Sequence, residues 1–142
     1  MKVIWISSVL PTGPFDPNLQ SPSASTRYRL LQPCRYLATR GVDSFILHPK
    51  DFALESSSLL SDADVVAFSK LMSPDVKLFK KHADLNLQII HKAREQGKTV
   101  LVDICDNWFS HAEYGPYHLE IVRLGDRIIA STERMAEIIY GH

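Results

Sequence analysis

Three glycines stand between a helical pattern and an apolar, β-branched run, and these joints constrain the fold more than any other feature of the chain. Gly41, Gly97 and Gly125 each follow a segment with helical periodicity and precede a strand-like segment. Glycine is common where a helix ends in a left-handed conformation, so each is predicted to be such a cap. Three helix-to-strand passages in one short chain indicate an α/β fold.

Five short apolar runs are predicted to be strands that alternate with helical patterns. Runs of this kind are typical of strands buried on both faces of a sheet. Right-handed crossovers between them give a Rossmann-like doubly wound parallel sheet of about five strands, with helices on both faces. We expect the strand order 3-2-1-4-5 and a single domain over residues 1–142. The predicted strands are residues 2–7, 42–48, 64–69, 98–103 and 127–130.

The helices are predicted from capping residues and apolar spacing. Ser23 or Ser25 is expected to cap the first helix, which runs to residue 40 and is kinked by Pro33. A second helix begins near Pro74 or Asp75, and shorter helices are expected over residues 117–124 and 132–140. The segment 9–24 contains four prolines and is predicted to be an irregular loop of functional interest. The second helix has an apolar stripe of Val76, Phe79, Ala83, Leu87 and Ile90, which is predicted to face the core.

The composition disfavours several classes of partner. The chain has 142 residues, of which 45% are hydrophobic, enough for one domain with its own core. Its 16 basic and 16 acidic side chains cancel, so no basic excess favours nucleic acid. No apolar run resembles a signal peptide or a membrane span, and the two cysteines fit reduced thiols. We therefore expect a cytoplasmic protein without a nucleic-acid partner.

The sequence lacks the specific motifs of several nucleotide, hydrolase and metal sites. No Gly-x-Gly-x-x-Gly follows the first predicted strand, which disfavours a dinucleotide, and there is no Walker A or Gly-x-Ser-x-Gly sequence. Cys105, Asp106, His111 and His118 are metal-ligand types, but they lack the paired spacing of metal sites, so no metal is predicted. Nucleophilic catalysis by Cys105 is disfavoured because the charge of Asp106 opposes a thiolate.

Two carboxylates, an amide and two aromatic rings follow the fourth predicted strand. Polar side chains at the carboxyl ends of strands form the ligand sites of open α/β sheets, so Asp103 and Asp106 are candidate functional groups. Arg27 and Arg29 lie near the start of the first predicted helix, where arginines and backbone amides suit a phosphate or carboxylate. Two structural alternatives stay open: a carboxylate caps the next turn, or it pairs with one of these arginines.

The predicted strand order brings these features together. With the order 3-2-1-4-5 the sheet reverses between the first and fourth strands, so the loop 9–24 and the segment 103–109 are expected to face each other across a crevice. His111 and His118 follow that segment and are candidate proton carriers near neutral pH, and His48 is a candidate for the rim. The alternative for these histidines is an ordinary surface role.

Four segments resemble, in this order, the N-terminal half of GT-B glycosyltransferases, especially the family 4-like group. They are residues 21–31 with Arg-Tyr-Arg, 64–70, 97–107 with Asp-x-x-Asp-Asn, and 126–132. The resemblance implies a Rossmann-like domain that binds the acceptor and a second, similar domain that binds the nucleotide-sugar and carries a Glu-rich motif. Residues 1–142 would then be the N-terminal half of a two-domain enzyme, inactive alone. The chain departs from family members that have a Gly-Gly turn after the first strand.

The resemblance also implies roles for single residues. Asp106 would be the general base of an inverting enzyme; in a retaining enzyme Asp106 and Asn107 would hydrogen-bond sugar hydroxyls, with Trp108 or Phe109 stacked on a sugar ring. The implied substrate-binding residues are Arg27, Arg29, Asp103, Asn107, Trp108 and His111.

Partners follow from the same resemblance. It implies a sugar or lipid-linked acceptor, the donor-binding domain, peripheral contact with a membrane, and self-association of the isolated domain. No cofactor is implied in this chain, and a nucleotide-sugar donor is expected in the complete protein. The alternative is a standalone Rossmann-like binding or interaction module without catalysis.

Overall fold

The computed structural model of the chain describes residues 1–69 and 75–141, and for residues 53–57 it describes the backbone alone. Within these residues the α/β class is confirmed. The five predicted strands are present with ends shifted by no more than one residue, and a further strand lies in the predicted loop. The strands are β1 (Lys2–Ile6), β2 (Gly13–Pro14), β3 (Asp43–Leu47), β4 (Val65–Ser69), β5 (Thr99–Ile104) and β6 (Arg127–Ala130).

The described helices lie close to the predicted positions, except that α3 has no counterpart in the sequence prediction. Asp75 caps α4 by accepting the backbone N–H of Lys77 at 2.8 Å, and the alternative start at Pro74 lies outside the described residues. None of the described helices combines the length and apolar character needed to cross a bilayer. The helical elements are α1 (Ala24–Thr26), a π-helical turn (Arg27–Leu31), α2 (Gln32–Ala38), a 3-10 turn (Pro49–Asp51), α3 (Phe52–Ser61), α4 (Val76–Glu95), α5 (Gly115–Leu124) and α6 (Glu133–Tyr140).

The strand order is β2-β3-β1-β4-β5-β6, so the predicted order 3-2-1-4-5 is wrong. Five strands are parallel, and β2 pairs antiparallel with β3 at the edge. The third predicted strand, β4, lies between β1 and β5 and not outside β3, because the connection through α3 crosses β1. Hydrophobic periodicity indicates that a strand is buried but not which strand it pairs with. The strand order therefore could not be predicted from periodicity.

The helical run after the loop contains a π-helical turn where the sequence predicts a kink. Ser23 is the N-cap of this run, and its Oγ accepts the backbone N–H of Thr26 at 3.3 Å. Further along, the N–H of Gln32 donates to the carbonyl of Arg27, five residues earlier. Pro33 has no N–H, and its ring would collide with the carbonyl four residues before it. A wider turn relieves that collision, so the proline is accommodated by a π-helical turn.

Two of the three predicted glycine caps are confirmed. Gly41 and Gly97 have φ values of 70° and 67°, in the left-handed region that favours glycine. Gly125 has a φ of −74° and an extended backbone, so the prediction of a left-handed cap is wrong there. A Cβ at Gly125 would lie 2.7 Å from Ile128 Cδ1 and 3.0 Å from Val102 Cγ2, so close packing is the reason for glycine at this joint.

Helices cover the two faces of the sheet unequally. One face, which includes Ile4 and Phe68, packs against residues of α3, α4, α5 and α6. The other face, which includes Trp5 and Ala67, packs against the helical run 24–38. On this second face Ile129 of β6 is 48% exposed. Among the described residues, an apolar strip between the run 24–38 and β6 is therefore open to solvent.

Candidate functional site

The carboxyl ends of β1, β4 and β5 lie side by side, at the edge where open α/β sheets bind ligands. The strand order reverses between β1 and β4, so the predicted switch point between β1 and β5 is wrong by one strand. Ser69, the last residue of β4, is in register with Asp103 of β5. The segment around Asp103 thus lies one strand from the switch point, and the helical run after the loop reaches it through Arg29.

Arg29 and Asp103 form a direct ion pair across this edge. This is the alternative in which a carboxylate of the segment pairs with one of the two arginines. The side chains are mostly buried, with 24% of Arg29 and 14% of Asp103 exposed. Burial by itself would lower the pKa of Arg29, but the hydrogen bond and charge of Asp103, with contributions from Cys105 and Asp106, raise it above its usual value. The guanidinium is therefore a permanent cation whose charge is already balanced. It retains further N–H donors for a ligand.

Asp106 belongs to the same electrostatic neighbourhood. Its Oδ2 lies 3.5 Å from Cys105 Sγ, and its charge acts on Arg29. The side chain is half-buried just beyond the end of β5. Arg29, Asp103 and Asp106 are thus the predicted site residues that the structure brings together.

Two cavities lie beside the ion pair. The larger cavity, of about 360 Å³, opens on the second face of the sheet. Its floor and sides are apolar, with contributions from Trp5, Ala67 and Leu101. Its polar lining lies at the carboxyl edge and consists of Arg29, Asp103, Ser69 and Ser131. The apolar side is completed by Tyr28, Pro33 and Ile129. The cavity suits an amphipathic ligand with its polar end at the ion pair.

A smaller cavity of about 140 Å³ lies at the switch point between β1 and β4. Arg29 and Ser69 line it as well as the larger cavity, so the two are neighbours. Besides Arg29 and Asn86, its polar lining consists of six hydroxyl-bearing residues: Ser7, Ser8, Ser23, Ser25, Thr26 and Ser69.

Three residues that line the smaller cavity, Ser7, Ser8 and Asn86, were not among the predicted site residues. Ser7 and Ser8 directly follow the first strand, and their position at its carboxyl end was the available signal. Asn86 also lines the cavity and is 3% exposed. The signal for Asn86 is its place among the apolar residues of α4, because the buried positions include Phe79, Ala83 and Ile90.

Arg27 and Asn107 have local contacts. Arg27 donates to the carbonyl oxygens of Ser21 and Pro22, at 2.9 and 2.7 Å, and so braces the loop before α1. The exposed Asn107 accepts the backbone N–H of Phe109 at 3.3 Å, a turn-capping contact.

Trp108 and His111 pack on the opposite face from Asp103. Trp108 contacts the core of the first face, and its Nε1 is buried without a hydrogen-bond partner among residues 1–69 and 75–141. The His111 ring stacks on Tyr114 with centroids 4.3 Å apart, and its Nδ1 accepts the backbone N–H groups of Glu113 and Tyr114. These contacts stabilise the segment that leads into α5.

The other candidate histidines differ in burial. His118 is 1% exposed, and its Nδ1 lies 2.8 Å from the carbonyl oxygen of Tyr114, so it belongs to the core. His48 directly follows β3, and its ring meets that of His82 edge-on, with ring centroids 5.7 Å apart. Burial lowers the pKa of His48 and of His82, and neighbouring lysines contribute. Within the described ranges no three His, Cys, Asp or Glu side chains are grouped so as to hold a metal ion.

Comparison of the chain with protein-family models, with curated proteins and with solved structures gave no match.

Proposed function

We propose that this chain is the acceptor-binding domain of a glycosyltransferase, completed by a second domain that binds the nucleotide-sugar. The observation that carries the proposal is the group of Arg29, Asp103 and Asp106 at the carboxyl edge, next to the hydroxyl-lined smaller cavity and the mainly apolar larger cavity. Sugars are bound by such combinations of charged, hydroxyl and apolar groups, since each sugar ring has both hydroxyls and a hydrophobic face. The resemblance of the sequence to GT-B enzymes supports the same reading.

The proposed chemistry assigns a proton acceptor and a positioning pair. The acceptor hydroxyl oxygen attacks the anomeric carbon of the donor, while the bond to the nucleoside diphosphate breaks and the electron pair leaves with the phosphate. The proton of the hydroxyl passes to the Asp106 carboxylate, the general base of an inverting reaction. Arg29, held by Asp103, donates hydrogen bonds that orient the acceptor. The nucleotide is bound by the second domain.

The larger cavity favours an amphipathic acceptor over a plain sugar. Trp5, Ala67 and Leu101 offer an apolar surface that leads directly to the ion pair. A lipid-linked or other aglycone-bearing acceptor could bury its apolar part along this surface and present its polar end at the edge of the sheet. Peripheral contact with a membrane would follow from such an acceptor.

A standalone binding module is the second candidate, and the uncovered strip of sheet favours it. Ile129 is 48% exposed, and Tyr28 and Tyr36 in the helical run 24–38 are 62% and 59% exposed. Parallel sheets are usually covered on both faces, so an apolar strip of this kind fits contact with another protein or domain.

The experiment compares the 142-residue chain with the protein encoded by the complete reading frame. Because the acceptor is unidentified, release of nucleoside diphosphate is measured with UDP-glucose, UDP-N-acetylglucosamine and GDP-mannose, with and without alkyl glycosides as acceptors. The longer protein is expected to release nucleoside diphosphate from one donor, faster with an acceptor, and the short chain is expected to be inactive. Turnover by the short chain would refute the two-domain account. A complete frame that ends at residue 142, or no release from any donor, would favour the binding module.

A further inference from the structure

A row of exposed side chains lies along the outer side of the helical run 24–38 and the turn that follows it. Its members recur at every fourth position: Tyr28, Gln32, Tyr36 and Arg40. We call this row the tyrosine ridge. Tyr28 is 62% exposed and Tyr36 is 59% exposed. Gln32, Tyr36 and Arg40 line neither the smaller nor the larger cavity, so the ridge is a surface separate from the proposed sugar site.

The π-helical turn keeps the two tyrosines on the same side of the helical run. In a regular α-helix, with about 3.6 residues per turn, positions four apart are displaced by about 40° around the axis. The turn at Arg27–Leu31 is wider, so four residues complete less than one full turn there and the displacement has the opposite sign. The two displacements largely cancel between Tyr28 and Tyr36. Both rings therefore project from the same side, two turns apart.

Each tyrosine of the ridge has an arginine over its ring. The guanidinium carbon of Arg27 lies 5.9 Å from the ring centroid of Tyr28, and that of Arg40 lies 5.2 Å from the ring centroid of Tyr36. A cation–π contact restrains an exposed ring. Less side-chain entropy is then lost when a partner orders the ring, so the ridge is partly preorganised for contact.

The charge of this surface is positive. Residues 17–42 contain four arginines and no aspartate or glutamate. Arg29 is paired with Asp103, but the other three arginines form no ion pair with any carboxylate that the structure describes. Arg27 and Arg35 donate to backbone carbonyl oxygens of the preceding loop, which leaves their charges unbalanced.

The side chains outside the described part of the chain do not supply the missing negative charge. Residues 70–74 include Lys70 and no acidic residue. Glu55 belongs to α3, which packs on the opposite face of the sheet. The ridge therefore complements an acidic partner.

The residue types of the ridge favour a protein over a nucleic acid or a membrane. Tyrosine and arginine are enriched at the energetic centres of protein interfaces. Nucleic-acid interfaces are much more basic than this surface, on which two of the three unpaired arginines already bind loop carbonyls. Helices that lie in a membrane surface present Trp, Phe or Leu, whereas here the rings alternate with Gln32 and Arg40.

We infer that the tyrosine ridge binds an acidic helix of a partner protein. A row of side chains on that helix packs between Tyr28 and Tyr36, as rows of side chains do when two helices meet. A carboxylate of the partner pairs with Arg40.

The test is an NMR titration of the ¹⁵N-labelled 142-residue chain with a helical peptide made of repeats of Leu-Glu-Ala-Leu-Ala-Glu-Gln. The control peptide has lysine in place of each glutamate. The acidic peptide is expected to shift the amide signals of Gln32, Tyr36 and Arg40 in a saturable manner, more weakly at high salt, and the basic peptide is not. Oligo-dT and phosphatidylserine vesicles are titrated in parallel. Equal shifts with both peptides, no shift with the acidic peptide, or shifts with oligo-dT or vesicles alone would overturn the inference.

Matched variants separate the ridge from exposed residues elsewhere. Tyr36→Ala is expected to weaken binding of the acidic peptide about tenfold, and Arg40→Gln about two- to fivefold. Tyr140→Ala and Arg134→Gln remove the same side-chain types from α6, where Tyr140 is 90% exposed and Arg134 is 81% exposed, and should bind like the wild type. Circular dichroism checks that each variant is folded. Equal binding by Tyr36→Ala and Tyr140→Ala would overturn the role of the ridge.

The inference does not depend on the proposed transferase, and it gives a chemistry to the partner of the second candidate function. Binding of the acidic peptide by a protein without transferase activity would leave it intact. An active transferase that does not bind the peptide would contradict this inference alone.

Discussion

Removing the negative charge of Asp103 should destabilise the fold by about 2 kcal/mol. Breaking a fully buried ion pair costs about 3–5 kcal/mol, and a hydrogen bond to a charged group contributes about 1.5–3 kcal/mol. Here 14% of Asp103 and 24% of Arg29 remain exposed, and an asparagine can still accept one hydrogen bond from Arg29. Asp103→Asn should therefore lie well below the fully buried limit. For a domain of this length the corresponding fall in Tm is about 4–8 °C.

Urea unfolding followed by circular dichroism measures this loss, and an exposed ion pair provides the matched control. Arg134 and Glu137 are three residues apart on α6, and 81% and 64% of their side chains are exposed. Glu137→Gln removes the same kind of charge but should cost less than about 0.5 kcal/mol. Equal losses for Asp103→Asn and Glu137→Gln would refute the claim that the Arg29–Asp103 pair is a partly buried link between helix and sheet.

A double substitution tests whether an unpaired charge is the cause of the lost stability. Arg29→Met with Asp103→Leu replaces both charges by apolar groups, which is often neutral or stabilising for buried pairs. The double variant is expected to be more stable than Asp103→Asn, because no unpaired charge remains. A double variant less stable than Asp103→Asn would contradict this reasoning.

Three further predictions follow from packing, titration and surface exposure. Gly115→Ala should destabilise the fold by about 1–3 kcal/mol in thermal unfolding, because the added Cβ would lie 2.3 Å from the carbonyl oxygen of Phe109. Gly141→Ala should be nearly neutral, because its Cβ would lie no closer than 3.4 Å to a neighbouring atom. Equal losses of stability in the two variants would refute the packing argument. Burial lowers the pKa of His82, so the unfolded state binds more protons than the folded state, and the free energy of unfolding should fall as the pH drops below 6.5. His82→Gln should make this fall smaller when the free energy of unfolding is measured by urea titration at several pH values. An unchanged dependence on pH in the variant would contradict the prediction. The chain should self-associate at millimolar concentration in analytical ultracentrifugation, and Ile129→Ser should weaken the association; a monomer throughout would count against the apolar strip as an interaction surface.

Local sequence patterns predicted most elements of the fold, although not β2 or α3, and they did not predict the arrangement of the strands. Ser23, Gly41 and Gly97 act within a few residues of their own position, so their effects could be predicted. The place of β4 beside β1 depends on the path of α3 across the sheet, which no local pattern specifies. Gly125 looks like the other two glycines in sequence, but contact with Val102 decides its role.

The site was predictable in residue type and only partly in geometry. Arg29 and Asp103 are 74 residues apart, and the choice of Arg29 over Arg27 depends on how the helical run is rotated around its π-helical turn. Asn107 and His111 belong to the same sequence cluster as Asp106, yet their hydrogen bonds are made to the backbone of their own turn. Their proximity to Asp106 in sequence therefore led to the prediction of a larger site than the structure brings together.

The most direct test of the central claim is the turnover of Asp106→Asn in the complete protein, measured beside its unfolding temperature. Asparagine keeps the size and hydrogen-bonding reach of the side chain but cannot take up the proton of the acceptor hydroxyl. If Asp106 is the general base, kcat for sugar transfer should fall roughly 100-fold or more while the unfolding temperature barely changes. The Glu137→Gln control should retain wild-type turnover, because Glu137 is an exposed residue of α6 that lines neither cavity. Wild-type kcat in an equally stable Asp106→Asn protein would contradict the account.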